Sequence, residues 1–313
     1  MARWAVVVPT NRPDRLRQFR AAWGPLFDQH HAQLIVVHDG PRRVGTGYCW
    51  EDFPDWVPRG SDMCRSYGFW RAWVEGAAYT VSLDDDVLPA ADVDIFSEYE
   101  AVFDRGAPCS TYLNVGALTS YGGPMRGFPY KDRPRAEVAV QYGGFHGVLD
   151  YDACTQLASP QPPQQFSPVV VPVPVGAAVT GCAMNMAFRT EYTPVMWQLP
   201  LLEGRYNRYG DIWAGLLAKR VFDQVGCAVV VNGRACVDHD RASNPVANLK
   251  HESAGLELNE RLWENLLILD GVSAVDCYRA VTGTAHWHFQ RYDPEYADWF
   301  LDCRDKWLSL FSS

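Results

Sequence analysis

The chain has 313 residues, of which 48% are hydrophobic, 13% aromatic and 21% charged, a composition typical of a globular protein. Its formal net charge of −9 lacks the basic surplus that proteins use to bind nucleic acid, so we expect no nucleic-acid partner. A small anionic ligand is compatible with this charge, because a few cations and backbone amides suffice to bind one.

The cysteine pattern and the apolar stretches indicate a cytoplasmic protein. The nine cysteines are an odd number without a CxxC pair, which favours reduced thiols over a disulfide framework. The opening MARWAVVVPTNRPDR predicts a first strand rather than a signal peptide. Prolines 172 and 174 interrupt the most apolar stretch, residues 169–188, so we expect no transmembrane segment.

Short apolar runs alternate with helix-like segments in the first half, which predicts an α/β fold. Residues 106–180 are rich in glycine and proline, and we expect loops there. The remaining segments are predicted as follows, in chain order: strand 4–8, helix 15–23, strand 34–37, helix 61–76, strand 79–83, helix 211–225, strand 227–232 and helices from 256 onwards.

Each of the first three predicted strands is followed by polar residues. Thr10 and Arg12 follow the first strand, Asp39 follows the second, and an aspartate triplet, residues 84–86, follows the third. Ligands of open α/β sheets bind at the carboxyl ends of the strands. We therefore expect these residues to meet in one crevice.

The triplet Asp84-Asp85-Asp86 is the strongest local signal, because three adjacent carboxylates repel one another unless a cation relieves them. Hard divalent ions bind one or two carboxylates together with substrate phosphates. Strand alternation predicts that Asp84 and Asp86 point together and Asp85 points away. A solvated acidic turn is the alternative interpretation.

A histidine after the last predicted strand is a candidate second metal ligand. His239 could complete a Mn²⁺ or Mg²⁺ site with Asp86, and Asp238 or Asp240 could orient its ring. A surface histidine is the alternative. HExxH, GxGxxG, GxxxxGK[ST] and GxSxG motifs are all absent, so zinc hydrolysis, NAD chemistry, P-loop phosphoryl transfer and serine hydrolysis have no support.

Nine ordered segments give a more specific indication. They are VPTNR at 8–12, VVHDG at 36–40, CRSYGF at 64–69, SLDDD at 82–86, RGFPYKDR at 126–133, DYDACTQL at 150–157, GCAMNMAF at 181–188, RYGDIWAGLLAK at 208–219 and HDRASNPVANLKHE at 239–252. With them the chain resembles a bacterial member of the reversibly glycosylated polypeptide family (glycosyltransferase family 75), which includes the plant UDP-arabinopyranose mutases.

The resemblance implies a metal-dependent UDP-sugar enzyme with a GT-A-like fold, a Rossmann-like mixed sheet with a C-terminal helical extension. Residues 1–252 would form the GT-A-like catalytic domain, and residues 253–313 would be helices packed on it. The enzyme would cleave the bond between the sugar C1 and the diphosphate, followed by re-attack, as in a mutase, or by transfer. It would take Mn²⁺ or Mg²⁺ as cofactor and could form a homo-oligomer.

The resemblance also implies a role for each matching residue. Thr10, Arg12 and Asp39 would contact the nucleotide, and Arg65 the diphosphate or sugar. Asp84 and Asp85 are assigned to the substrate, and Asp86 and His239 to the metal. The other assignments are Lys250 to phosphate, Asn185 to sugar hydroxyls, Asp211 to the reacting C1, Asp150 and Asp152 to further site acids, and Arg133 to the arginine that the family glycosylates.

Two departures from the plant sequences affect the predicted reaction. Gly210 replaces an acid of the plant RYDD segment, and residues 142–145 replace a His-Gly-Leu-Trp stretch; both would lie where the sugar sits. The alternatives are therefore a transferase or slow hydrolase that uses UDP-glucose or a related donor, and a non-catalytic UDP-sugar-binding subunit.

Overall fold

The structure, a computed structural model, describes residues 2–41, 45–57, 59–200, 205–206, 208–239, 241, 244–267 and 273–312, without the side chain of residue 62. Its strands are β1 (Trp4–Thr10), β2 (Gln33–His38), β3 (Tyr79–Leu83), β4 (Val87–Pro89), β5 (Ala107–Pro108), β6 (Arg135–Ala136), β7 (Val138–Gly147), β8 (Val170–Pro172), β9 (Asn185–Arg189) and β10 (Ala228–His239). Its helices are α1 (Pro13–His30), α2 (Arg65–Val74), α3 (Ile95–Arg105), α4 (Ala153–Ala158), α5 (Gly210–Val225), α6 (Pro245–Glu252), α7 (Leu256–Asn265), α8 (Ala274–Gln290) and α9 (Pro294–Ser309).

An eight-stranded mixed sheet forms the centre, in the order β2-β1-β3-β9-β7-β10-β4, with β8 also paired to β10. β1 runs parallel to β2 and β3, and β7 runs parallel to β10, whereas β9 is antiparallel to both of its neighbours. The expected α/β class and mixed sheet are confirmed. The strands and helices predicted around residues 4–8, 34–37, 79–83, 211–225 and 227–232 are also present.

Helices cover both faces of the sheet because the strands are apolar on both sides. All seven residues of β1 are buried, as expected for a strand enclosed between two layers. One core lies between the sheet and α1 and α3, and the other lies between the sheet and α2, α5 and the C-terminal helices. In α1, Leu16, Phe19, Trp23 and Phe27 recur every three or four residues and are buried.

The expectation of loops throughout residues 106–180 is wrong for the part that forms β7. This ten-residue strand lies between β9 and β10, and its first seven residues are buried. Its glycines suggest a loop, but a Cβ at Gly143 would lie 2.3 Å from Asn185 Nδ2 and from the Tyr99 hydroxyl, and 2.6 Å from the Ala235 carbonyl. Close packing, rather than a turn, therefore requires glycine here.

The C-terminal helices share a core with the body of the chain. Phe300 of α9 stacks on Trp197 with ring centroids 5.8 Å apart, and Trp307 Nε1 donates to the Pro194 carbonyl at 2.9 Å. Tyr206 donates from its hydroxyl to Asp293 at 2.8 Å, just before α9. The division at residue 252 stays a prediction, which we take up in the Discussion.

Candidate functional site

A cleft of about 480 Å³ opens at the carboxyl ends of β1, β2 and β3, where the strand-end residues were expected to meet. The triplet lies between β3 and β4, which stand far apart in the strand order although only three residues connect them. The predicted site residues that line the cleft are Thr10, Arg12, Asp39, Arg65, Asp84, Asp85, Asp86, Asp150, Asp211 and His239.

The predicted alternation of the triplet is wrong. The strand ends at Leu83 and residues 85–86 form a turn, so Asp85 and Asp86 both reach Arg12 rather than pointing to opposite faces. Asp85 also accepts a hydrogen bond from the Thr10 hydroxyl at 2.5 Å. Partial burial of Arg12 disfavours its charged form and by itself would lower its pKa. The hydrogen bonds and charges of Asp85 and Asp86 outweigh this effect and raise the pKa of Arg12. Asp85 thus holds Arg12 at the cleft wall.

Asp86 and His239 are neighbours because of strand pairing. Val87, the residue after Asp86, pairs with His239 across β4 and β10. Asp86 is 4% exposed, and its Oδ2 accepts from Arg12 at 3.1 Å and from Arg241 at 2.9 Å. Its other oxygen, Oδ1, is buried without a hydrogen-bond partner among the described residues. A buried carboxylate oxygen in this state is suited to a cation.

A backbone hydrogen bond orients the ring of His239. Its Nδ1 lies 2.6 Å from the Val148 carbonyl, which requires a proton on Nδ1 and leaves Nε2 as the acceptor. The orienting group is thus a backbone carbonyl and not Asp238, which is exposed; Asp240 lies outside the described residues. No three described His, Cys, Asp or Glu side chains could hold a metal together. Asp86 and His239 fit Mg²⁺ or Mn²⁺ as two protein ligands completed by substrate phosphates and water.

Arg65 lines the wall of the cleft as a buried side chain and is not exposed to solvent there. It is 2% exposed, and it donates to the Ser82 hydroxyl at 2.9 Å and the Ala183 carbonyl at 2.8 Å. It also donates to Asp84 at 2.7 Å. Because two of these bonds anchor the guanidinium, Arg65 fixes the position of the more exposed Asp84.

Asp211 lies in the first turn of α5 and lines the cleft. It accepts hydrogen bonds from the Ala183 amide at 3.1 Å and from the Ile212 amide at 2.9 Å. Burial raises the pKa of Cys182 well above its usual value, and the charges of Asp211, Asp150 and Asp84 add to this. Cys182 and these three acids line the same cleft, and the raised pKa keeps the thiol neutral.

Arg208 is a cleft residue that the sequence did not single out. It donates to Asp150 at 2.6 Å and to Glu252 at 2.8 Å, and the buried Glu252 in turn accepts from the Ala153 amide at 2.8 Å. Arg208 has φ of +76°, which is strained for a residue with a side chain. The positive charge of Arg208 in the RYGD segment was a signal that the sequence offered. Its acidic partners, Asp150 and Glu252, are distant in sequence, so the pairing could not be predicted. Arg241, Asn248 and His251 also line the cleft and were missed.

Asp39 reaches the cleft from the end of β2. Its Oδ1 accepts from Trp50 Nε1 at 2.7 Å and from the Gly60 amide at 2.8 Å. Two donors on one oxygen fix the carboxylate in the cleft wall.

Two predicted site residues lie near the cleft but do not line it. Asp152 is exposed and caps α4, where it accepts from the Thr155 amide at 2.9 Å and hydroxyl at 2.6 Å; these bonds lower its pKa. Lys250 is exposed on α6, whose opposite face presents Asn248 and His251 to the cleft. Residues three apart share a helix face and Lys250 is not on it.

The expectation for Asn185 is wrong, because this residue is 1% exposed. Its Oδ1 accepts from the Tyr99 hydroxyl at 2.7 Å, and its Nδ2 donates to the carbonyls of Gly144 and Ala235, both at 2.8 Å. The side chain therefore joins β9, β7 and β10 where they diverge. Residues 142–144, expected beside the sugar, are likewise buried strand residues.

The structure does not bring Arg133 to the cleft. Arg133 precedes the amino end of β7, whereas the cleft lies near its carboxyl end, and ten strand residues span roughly 30 Å. It lines a different cavity and shares no wall with the acidic cluster.

The fold and the cleft define an α/β protein with a polar site, rich in arginine–carboxylate pairs, at the strand ends of a mixed sheet. Residues 57–313 match the family model described as reversibly glycosylated polypeptide. The chain belongs to the reversibly glycosylated polypeptide family.

Curated relatives agree with this family. The chain is 30% identical to the probable UDP-arabinopyranose mutase 4 of Arabidopsis thaliana over 98% of this chain and 89% of that protein. It is 28% identical to the UDP-arabinopyranose mutase 1 of Oryza sativa subsp. japonica, with the same coverage. These relatives are plant proteins, and the bacterial origin expected above stays a prediction.

Solved structures show a weak likeness. A mannosyltransferase from Pyrobaculum calidifontis in complex with GDP-Man and Mn²⁺ is 11% identical with a TM-score of 0.44, over 99% of this chain and 86% of that one. Glucosyl-3-phosphoglycerate synthase from Mycobacterium tuberculosis, in complex with Mn²⁺ and UDP-glucose, is 15% identical with a TM-score of 0.39, over 82% and 77%. Among the helices of the described residues, none is both long and apolar enough to cross a membrane.

Proposed function

We propose that the chain is a metal-dependent UDP-sugar enzyme of GT-A-like architecture whose specific activity is that of a UDP-arabinopyranose mutase. The observation that carries this proposal is the buried Oδ1 of Asp86, which has no hydrogen-bond partner among the described residues. It lies beside His239 at the cleft that also holds Arg12 and Arg241. Family membership and the names of the plant relatives supply the class of substrate.

The cleft residues account for binding of the nucleotide diphosphate. Asp39 lies at the rim, where it would accept a hydrogen bond from the uracil. Arg12 and Arg241, now paired with Asp85 and Asp86, would donate to the diphosphate oxygens. Asp86 and His239 would hold Mn²⁺ or Mg²⁺, which when bound supplies a Lewis acid for the charge on the diphosphate.

The reaction breaks the bond between the sugar C1 and the diphosphate oxygen, and the electron pair leaves with UDP. Positive charge then develops on the sugar ring, which a carboxylate near C1 stabilises. Asp211 is suited to this role because two amide hydrogen bonds fix its carboxylate, and because the first turn of a helix favours negative charge. O4 then bonds to C1 and loses its proton, the C1–O5 bond breaks and O5 takes up a proton, and re-attack of the UDP oxygen on C1 gives the furanose product.

The direct test is incubation with UDP-arabinopyranose and Mn²⁺, with chromatographic detection of UDP-arabinofuranose. We expect furanose product from the unaltered chain, little from Asp211→Asn, and normal amounts from Asp152→Asn. The last is a matched control, because Asp152 is exposed outside the cleft and asparagine caps helices equally well. Absence of furanose product with the unaltered chain would reject the mutase activity.

A transferase or slow hydrolase acting on UDP-glucose or a related donor is the second candidate, favoured by Gly210. A Cβ there would lie 2.3 Å from Met63 Sδ and 2.8 Å from the Leu199 carbonyl, so the acid of the plant sequences does not fit this chain. Release of UDP and sugar from UDP-glucose, without furanose product from UDP-arabinopyranose, would support it. Binding of UDP without turnover of either substrate would support the non-catalytic subunit.

Glycosylation of Arg133 is part of the same proposal and would proceed between two copies of the chain. Arg133 precedes the amino end of β7, and the cleft lies near the carboxyl end of this strand of roughly 30 Å, so transfer within one molecule would require the sugar to leave the cleft. We expect a gain in intact mass that Arg133→Ala abolishes and whose initial rate rises with the square of protein concentration. A first-order rate would contradict transfer between copies.

A further inference from the structure

A second cavity, of about 370 Å³, lies away from the cleft and shares none of its lining residues. Its walls are the end of α3, the β5–β6 pair, the loop that follows β5, and β8. We call it the arginine cavity, after the four arginines that line it, Arg105, Arg133, Arg135 and Arg234.

The charge of the arginine cavity is uncompensated. Among the described residues, its lining contains no Asp or Glu, although the chain as a whole carries a net charge of −9. None of its four arginines forms an ion pair with a carboxylate in the part of the chain that the structure describes. The arginines of the cleft differ in this respect, since each is paired with aspartate or glutamate; they are Arg12, Arg65, Arg208 and Arg241.

Backbone carbonyls accept hydrogen bonds from three of these guanidiniums, and that of Arg234 donates to Pro168 at 3.5 Å. Arg135 donates to the Gly106 carbonyl at 2.9 Å, and Arg133 donates to the Phe128 carbonyl at 3.3 Å while stacking 3.6 Å over the ring of Tyr130. The Nε of Arg133 is buried without a hydrogen-bond partner among the described residues. Burial lowers the pKa of Arg135, and the charge of Arg105 lowers it further, so the guanidiniums repel one another.

A bulge in β10 brings the fourth arginine to the cavity. The register between β10 and β7 passes from Asn232 directly to Cys236, which leaves residues 233–235 unpaired. Asn232 Oδ1 accepts from the amides of Arg234 at 3.2 Å and Ala235 at 3.4 Å, which fixes the bulge. Bulges of this kind redirect a side chain out of the sheet pattern, and here the redirected residue is Arg234.

The rim of the arginine cavity is aromatic. Tyr112 and Tyr121 line it and are 55% and 88% exposed. The adjacent carboxylate, Asp132, accepts from the Ser110 hydroxyl at 2.8 Å and is not part of the lining. Exposed tyrosine rings next to unpaired guanidiniums offer a flat apolar face beside a site of positive charge.

We propose that the arginine cavity binds a phosphate group, either free or carried by a small ring-bearing molecule. The guanidinium fork matches the oxygens of phosphate, and a phosphate monoester carries close to two negative charges at neutral pH. A single carboxylate would leave more of the positive charge uncompensated. This site stands apart from the cleft, so the proposal does not rest on the proposed function.

Isothermal titration with inorganic phosphate and with glucose 1-phosphate tests the proposal. The cavity variants are Arg234→Gln and Arg105→Gln, both of exposed arginines; Arg261→Gln, an exposed arginine on α7, is the control. We expect each cavity variant to weaken binding about tenfold and the control to leave it unchanged. Unchanged affinity in both cavity variants, or no binding of either probe, would overturn the proposal. Thermal melting checks that each variant is folded.

The two probes distinguish the source of the phosphate. Equal affinity for both supports a site for free phosphate. Tighter binding of glucose 1-phosphate, reduced by Tyr121→Ala, supports a phosphate carried on a ring that packs against the tyrosines. Saturation of the cleft with UDP and Mn²⁺ should leave either result unchanged, because the two sites share no residue. Loss of phosphate binding under this condition would assign the phosphate to the cleft and overturn the proposal.

Discussion

At the scale of single residues, the cleft is organised by pairs of opposite charge. Asp85 holds Arg12, Arg65 holds Asp84, and Arg208 holds Asp150. Breaking such a partly buried pair leaves an uncompensated charge, so these pairs position groups even where they add little net stability. Asp86 is different, because one of its oxygens has no hydrogen-bond partner in the part of the chain that the structure describes.

Asp86→Asn tests the metal site. The substitution keeps the volume of the side chain but removes the charge that would bind the cation, so we expect the Mn²⁺-dependent part of UDP affinity to fall at least about tenfold. Titration of UDP with and without Mn²⁺ measures this effect. Asp152→Asn is the control. Equal Mn²⁺ dependence in Asp86→Asn and the unaltered chain would show that the metal is held elsewhere.

Arg241→Gln should change the affinities for metal and nucleotide in opposite directions. Arg241 lies 2.9 Å from Asp86 Oδ2 and is half exposed, so its charge opposes a cation at the same carboxylate. Removing about 1 kcal/mol of repulsion should tighten binding of Mn²⁺ alone about fivefold. The loss of a contact to the diphosphate should weaken the binding of UDP. Mn²⁺ titration followed by electron paramagnetic resonance measures the first effect, with Arg261→Gln as the control. Unchanged or weaker binding of Mn²⁺ by Arg241→Gln would contradict the prediction.

At the scale of elements, close helix–sheet contact sets the shape of the cleft. Arg65 is the first residue of α2, so the position in which this helix packs on the sheet determines where the guanidinium meets Asp84. Gly68 allows this close packing of α2 on the sheet, because a Cβ at this position would lie 2.4 Å from Val7 Cγ1 and 2.7 Å from Val37 Cγ2.

Gly68→Ala should therefore destabilise the protein. Overpacking costs about 1–3 kcal/mol and exceeds the roughly 1 kcal/mol that alanine gains in helix propensity. Gly24→Ala in α1 is the matched control: its Cβ would have nothing within 4 Å, so we expect it to stabilise by about 0.5–1 kcal/mol. Urea unfolding measures both. Equal stabilisation by both substitutions would show that α2 can shift on the sheet at no cost.

At the scale of the whole molecule, the C-terminal helices and the sheet bury aromatic side chains together. Phe300 is fully buried and packs on Phe289 and Trp197, with centroids 5.1 Å and 5.8 Å away. Since Trp197 belongs to the part of the chain assigned to the catalytic domain, residues 253–313 should not unfold separately.

Phe300→Ala should lower the free energy of unfolding by about 3–5 kcal/mol, in one transition seen equally by fluorescence and circular dichroism. Trp287→Ala is the control, because Trp287 is 78% exposed on α8, and we expect a change within about 0.5 kcal/mol. Two separate transitions, with UDP binding retained after the first, would instead establish the C-terminal helices as an independent module.

The sequence by itself determined the α/β class, the first three strands, the strand-end position of the site and the family. These features depend on local periodicity, on turns and on motif order, which are written along the chain. Six of the ten predicted residues that line the cleft follow from the rule that parallel strand ends meet at one edge; they are Thr10, Arg12, Asp39 and the aspartates at 84–86. His239 was predicted from its place after the last strand, and Arg65, Asp150 and Asp211 from the resemblance to the family.

Only the tertiary structure decided which side chain faces which. Asn185 joins three strands, and Arg133 lies near the amino end of β7, because both positions depend on strands that are distant in sequence. The partners of Arg208, the bulge that directs Arg234, and the glycines of β7 likewise depend on non-local contacts. Strand order and close packing arise only when the sheet assembles, so no local pattern encodes them.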